Sequence, residues 1–206
     1  MTFSRGAAAL LAAGLLLAGC GVPPSGNAPS PTGTASPTGK LIPAVVTRNV
    51  DGDTVHVRVA RHDEKVRMLL IDTPEDVAPD KPVEPFGREA AAFAAKTLPA
   101  GRKIYLEEGH RGHRRGKYGR LLAYIWTTRT AMYNEAVVRR GLARVAYVFP
   151  PNIDHLAALE ADQAYAKDRH LGIWSIPGYA TSHGFNLRIA CRWARRRGLP
   201  IVEIVV

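Results

Sequence analysis

The chain has 206 residues and carries 28 Lys and Arg against 18 Asp and Glu, a formal net charge of +10. Its hydrophobic content of 46% excludes a wholly disordered chain, and its length suits one ordinary domain with flanking segments. Its two cysteines, Cys20 and Cys191, stand at opposite ends, which excludes a disulfide framework, a cysteine-based metal site and a redox pair. The basic balance points to a polyanionic partner, nucleic acid or an anionic membrane surface, or else only to solubility.

In chain order, the first element is an address. One positive charge lies within Met1 to Arg5, followed by an unbroken run of Ala, Leu and Gly from Ala7 to Ala18. A membrane span needs about 20 apolar residues, so this run instead suits the apolar region of a secretory signal. It ends in Leu17-Ala18-Gly19-Cys20, which resembles a bacterial lipoprotein signal. That resemblance implies residues 1–19 as a cleaved signal peptide and Cys20 as a lipidated anchor to the membrane on the extracytoplasmic face. Residues 20–40 add a stretch rich in Gly, Pro, Ser and Thr, expected to be a flexible tether. A folded domain is expected over 41–178 and a basic tail over 179–206.

Pro43 to Asn49 and Thr54 to Ala60 read as strands joined by a tight turn at Asp51-Gly52. His56 and Arg58 alternate with Val55, Val57 and Val59, the pattern of a half-buried strand. Lys65 to Ile71 reads as a third strand. Asp72 to Pro85 contains Pro74, Pro79, Pro82 and Pro85 and is expected to be loop. Gly87 to Leu98 has helical spacing and ends at Pro99-Ala100-Gly101. Lys103 to Glu107 and Leu121 to Thr127 read as strands flanking a basic loop. A helix from Asn134 to Arg140 stops at Gly141. Val145 to Phe149 is extended, and a helix capped by Asn152 or Asp154 runs to about Lys167. Three strands, a helix, two strands and two helices suit an α+β fold, a small five-stranded OB-fold β-barrel.

Three features depart from ordinary strand chemistry. Asp51-Gly52 is explained by a hairpin turn, but Asp53 at the head of an apolar strand is not. Arg67 lies in the apolar run Val66 to Ile71, where a guanidinium is costly unless paired. It reads either as a structural ion pair or as a bidentate phosphate ligand. Asp72-Thr73-Pro74-Glu75 reads as a capped turn, or as part of a site. Together, Asp53, Asp72 and the Thr73 carbonyl would make an all-oxygen set of the kind Ca²⁺ prefers, without the His or Cys that zinc favours. Glu75 can take a proton from an attacking water. Lys117-Tyr118-Gly119-Arg120 adds a second guanidinium beside an aromatic ring.

These motifs carry a resemblance to the thermonuclease, or staphylococcal-nuclease-like, family. Asp51-Gly52-Asp53-Thr54-Val55, Arg67 through Glu75, and Lys117-Tyr118-Gly119-Arg120 with Leu122-Ala123-Tyr124-Ile125 resemble its motifs. So do Asn134-Glu135, Gly141-Leu142-Ala143, Ala146-Tyr147-Val148 and Trp174 in Gly172-Ile173-Trp174-Ser175. The similarity runs in one collinear order from about Pro43 to Ser175. It implies an OB-fold barrel with three helices and Ca²⁺ held by Asp53, Asp72 and Thr73. It implies Glu75 as general base and Arg67 and Arg120 as ligands of the scissile phosphate. It implies Lys81, Lys117, Tyr118 and Tyr147 as substrate contacts, and cleavage of DNA and RNA at the 5′ P–O bond to leave 3′-phosphates. Phe149 stands where a second tyrosine is common, and Gly116 where an acid is.

The competing reading is a catalytically inactive OB-fold module that binds nucleic acid or protein. The chain is expected to act as a monomer. The tail is expected to be a solvated basic face around Arg192 to Arg197, followed by an exposed Ile201 to Val206. Deletion beyond Tyr179 is expected to leave activity largely intact.

Overall fold

A computed structural model describes residues 35–76 and 83–198. The signal segment with Cys20, most of the expected tether, Lys81 and the end of the tail lie outside the described residues.

Five strands close into a barrel in the order β1-β2-β3-β6-β5. They are β1 (Leu41–Asn49), β2 (Thr54–Val59), β3 (His62–Met68), β5 (Lys103–Glu108) and β6 (Leu121–Trp126). Neighbours pair antiparallel except β3 and β6, whose parallel ladder closes the barrel. The expected alternation in β2 holds: Val55 and Val57 are fully buried, and Arg58 is exposed. Each fully buried valine or leucine contributes about 1.5–3 kcal/mol over its exposed state. Closure also removes the unpaired edges that an open sheet would present.

The third strand lies three residues earlier than its apolar run suggests. It ends at Met68, and the chain turns at Leu69-Leu70, with Leu70 at φ 61°. Three contacts hold the turn. The Leu69 N–H donates to Ala123 O, and the Ala146 N–H to Leu70 O. The Asn134 amide donates to Leu69 O while its oxygen accepts the Ile125 N–H. Beyond the turn, β4 (Ile71–Asp72) leaves the barrel and pairs antiparallel with β7 (Arg144–Val145).

Helix α1 (Gly87–Thr97) buries Ala90 and Ala94, and its Phe93 stacks on Tyr133 of α2 (Tyr133–Arg139) with ring centroids 5.6 Å apart. Gly141, at φ 68°, ends α2 as expected. Helix α3 (Leu156–Asp168) begins later than expected, and His155 occupies its N-cap position without a side-chain cap bond. Neither Asn152 nor Asp154 caps it, because both side chains reach back to the basic loop instead. Asn152 accepts from the His110 N–H and donates to His113 O, and Asp154 pairs with the His110 ring.

Two boundaries differ from expectation. Residues 35–40 are seated on the domain rather than continuing the tether. The Ala35 N–H donates to Glu135, and Thr38 and Gly39 donate to the buried Glu107. The tail is also structured. The chain forms a two-stranded hairpin, β8 (Ala180–Thr181) and β9 (Gly184–Phe185), then helix α4 (Leu187–Arg196). There are thus four α-helices among the described residues, not three. Ile173, Ile176, Tyr179 and Ala190 form a second small core with Phe86, Trp174, Phe185 and Trp193 around it. The basic face of α4 is solvated as expected, with Arg188, Arg192, Arg195 and Arg196 exposed.

Candidate active site

The Asp51–Asp53 turn comes first. The Val50 N–H donates to Thr54 O, and Asp51 Oδ1 accepts the Asp53 N–H at 2.8 Å, an Asx turn closing the β1–β2 connection. Burial pushes the Asp51 carboxyl above its ordinary value, against the opposing influence of Arg67 and the Thr54 N–H. Gly52 is required for close approach: a Cβ there would lie 2.7 Å from Thr73 Cγ2 and 2.8 Å from Ala90 Cβ. The Gly52 carbonyl accepts from the Tyr133 hydroxyl at 2.8 Å, which ties the turn to α2.

Asp53 is buried and holds the second acidic segment in place. Its Oδ2 accepts from the Thr73 N–H at 2.9 Å and from the Thr73 hydroxyl at 3.2 Å, and its Oδ1 accepts from the Thr54 hydroxyl. Arg67, opposite Thr54 in the β2–β3 ladder, forms ion pairs with Asp53 and, at 3.2 Å, with Asp72. The other Asp72 oxygen accepts from Arg144 at 2.8 Å. Arg67 therefore makes the ion pairs that a buried guanidinium requires, and it does so inside the cavity.

Glu75 follows on a segment fastened by its main chain. Its N–H donates to Glu84 at 3.0 Å, and its carbonyl accepts the Glu84 N–H at 2.9 Å. Across the cavity, the basic loop is closed by Arg115, which pairs with Glu64 and donates to Gly119 O. The loop presents Lys117, Tyr118 and Arg120, with the cations 5.5 and 5.7 Å from the Tyr118 ring centroid. The Arg120 Nε–H is buried without an acceptor among the described residues, a cost of about 1–3 kcal/mol unless an anion meets it.

One cavity of about 560 Å³ gathers these groups. Its lining includes Asp53, Arg67, Asp72, Thr73, Glu75, Lys117, Tyr118, Arg120 and Tyr147. Among the expected site residues, only Lys81 and Cys20 fall outside the described set. Tyr118, Tyr147 and Phe149 are largely exposed at the rim. The Tyr147 ring lies 5.2 Å from the Arg67 guanidinium.

The lining offers oxygen donors and no His or Cys, the donor chemistry of a hard divalent cation. No cluster of three or more His, Cys, Asp or Glu forms a ready cage among the described residues. Asp53 and Asp72 supply two carboxylates to the lining, and Thr73 lies between them and Glu75 along the chain, in the cavity wall. Three contributors were not singled out from the sequence. By local pattern Asp51 reads as a turn residue alone, Asn152 as a helix cap, and Arg144 carries no signal. The positions of Asn152 and Arg144 follow from pairings between distant segments, which local pattern does not carry.

Comparison with known proteins shows the family. The family described as Staphylococcal nuclease homologue matches residues 65–176. The SPbeta prophage-derived endonuclease YokF of Bacillus subtilis is 42% identical over 147 residues, 71% of this chain and 49% of that protein. The chain thus spans about half of YokF's length. Endonuclease YncB of the same organism is 41% identical over 71% of this chain and 68% of its own length. The thermonuclease of Staphylococcus intermedius is 38% identical over 63% of this chain and 74% of its own length. With a family match across more than half its residues and a barrel of the expected topology, the chain belongs to the staphylococcal nuclease family.

Proposed function

We propose that this chain is a Ca²⁺-dependent extracytoplasmic nuclease that hydrolyses DNA and RNA to 3′-phosphate products. The reaction class, hydrolysis of phosphodiester bonds, comes with the family. One observation carries the reading to this chain: a single cavity holds both carboxylates, Thr73, Glu75, two guanidiniums and an aromatic rim. A catalytically inactive binding module has no need of that combination of buried acids and cations, which is costly to assemble.

Asp53, Asp72 and the Thr73 carbonyl would hold the cation, which when bound would supply positive charge to offset that of the phosphate. Glu75 accepts a proton from the attacking water. Water oxygen bonds to phosphorus, the 5′ P–O bond breaks, and the departing oxygen takes a proton from solvent while Glu75 returns its own to solvent, so the products are a 3′-phosphate and a 5′-hydroxyl. Arg67 and Arg120 donate to the phosphate oxygens and stabilise the charge that grows in the transition state. Lys117 supplies charge along the backbone, while Tyr118, Tyr147 and Phe149 offer faces on which bases stack. Lys81 is assigned a similar backbone contact by family likeness alone.

The chain acts as a monomer, held to the extracytoplasmic membrane face through lipid on Cys20. Loss of membrane partition in Cys20→Ala checks the anchor. Degradation of single-stranded DNA is the test of the reaction, run with Ca²⁺, with EDTA, and with Glu75→Gln and Arg120→Ala. Cutting is expected only in Ca²⁺, with each variant slowed by about 10²–10³-fold. Undiminished cutting in EDTA would sink the metal reading, and no cutting under any condition would support the inactive module.

A further inference from the structure

Arg144 is among the most buried charged side chains described, with 7% side-chain exposure. It faces Asp72 directly in the β4–β7 ladder. Its Nε donates to Asp72 Oδ2 at 3.0 Å and its Nη2 forms an ion pair with the same oxygen at 2.8 Å, while Arg67 holds the other oxygen. Its remaining nitrogen, Nη1, donates to the carbonyls of Thr181 and Ser182, both at 3.2 Å. The Phe185 ring lies 5.6 Å from the same guanidinium. All these last partners come from the hairpin in the tail.

The hairpin is built to hold those carbonyls still. The Thr181 hydroxyl donates to Gly184 O at 2.9 Å and accepts the His183 N–H at 3.1 Å. Just upstream, Tyr179 is fully buried and donates its hydroxyl to Pro85 O at 2.9 Å. If the carbonyls moved away, Arg144 would keep a buried N–H without an acceptor and would turn to find one. Asp72 would turn with it.

We propose that the β8–β9 hairpin is part of the active-site framework and that, through Arg144 as a positioning residue, it sets the Asp72 carboxylate for a divalent cation. This rests on the reading of Asp72 as a cation ligand. It reverses the expectation that residues beyond Tyr179 are dispensable.

Arg144 exerts two opposed effects on that cation. Its fork orients the ligand, and its charge repels the ion. Replacing Arg144 alone therefore does not isolate positioning, whereas charge-neutral changes in the hairpin do. Thr181→Val removes the hydroxyl that locks the turn, and Phe185→Leu removes the ring but keeps an apolar side chain.

The experiment is calorimetric titration of CaCl₂ into the full chain, for the unaltered protein, both hairpin variants, Arg144→Gln and the two double variants. Melting temperatures are recorded alongside. Each hairpin variant is expected to weaken Ca²⁺ binding about three- to tenfold, and to change it by less than about twofold once Arg144 is Gln. Any cost to folding should instead appear equally in both backgrounds. Unchanged affinity in both hairpin variants, or equal weakening with and without Arg144, overturns the proposal. Failure of the unaltered chain to take up Ca²⁺ at millimolar concentration overturns the cation reading itself, and the proposal with it.

Discussion

Arg67 and Asp72 are five positions apart, yet Arg67 Nη2 lies 3.2 Å from Asp72 Oδ1. In one continuous strand an odd separation puts two side chains on opposite faces. The turn at Leu69-Leu70 brings them together, and with them the guanidinium and the acid of the proposed site.

That geometry makes Arg67 sensitive to shape as well as charge. Arg67→Lys keeps the positive charge but loses the fork that reaches Asp53 and Asp72 at once. The expected result is a fall in kcat of about 10²-fold or more on single-stranded DNA, with the barrel still folded by circular dichroism. Wild-type turnover in this variant would mean the fork does no chemical service.

Cation binding should stabilise the fold, because Asp53, Asp72 and Thr73 come together only in the native chain. At a Ca²⁺ concentration about 100 times Kd the stabilisation is about 2.7 kcal/mol, and EDTA removes it. Thermal melts with and without the ion measure this without any substrate.

Gly52 couples the first acidic turn to the second. Gly52→Ala drives a methyl group into Thr73 and Ala90. Overpacking of this kind costs about 1–3 kcal/mol, and here the group displaced belongs to a proposed ligand residue. Both the melting temperature and the Ca²⁺ affinity are expected to fall. A variant with unaltered affinity would show that Thr73 can give way without consequence.

Glu107 joins three parts of the fold. One oxygen accepts from Thr38 and Gly39, and the other from the Trp126 indole and the His155 ring. Burial alone would raise its pKa, but hydrogen bonds from His155, Thr38 and Gly39 outweigh burial and bring it down from 4.5 to about 2. The folded value is the lower one, so the stabilisation is complete above 4.5 and is lost as pH falls through about 2. Its size is up to about 3 kcal/mol. Urea midpoints at pH 7, 4 and 3 should fall for the native chain and change less for Glu107→Gln, which starts lower.

Phe149 lies at the cavity rim with 69% of its surface exposed, so its ring is available to a base. Stacking is worth about 1–3 kcal/mol per base, so Phe149→Ala should raise KM for single-stranded DNA by about 5- to 150-fold and leave kcat nearly unchanged. A fall in kcat alone would point to a part in the chemistry.

Much of the fold was legible from local pattern. The valines of β2, the helical spacing of α1 and the glycine ending α2 each follow from burial period or backbone freedom within a few residues. The acids and arginines of the site were legible too, because a charge inside an apolar run is conspicuous at the level of a single segment. Less legible were the groups whose purpose depends on a distant partner. Asn152 reads as a helix cap, but its amide is taken by the basic loop. Residues 35–40 read as tether, but Glu107 accepts their N–H groups.

The sequence by itself determined the barrel, the family and which side chains crowd the site, since hydrophobic period and residue chemistry are local properties. Only the tertiary structure decided how they meet. It turned the chain at Leu70 so that Arg67 faces Asp72, and set Arg144 between Asp72 and the hairpin of the tail. Those contacts join segments up to 72 positions apart, and a hydrogen bond across that distance is fixed by closure of the fold, not by any pattern along the chain.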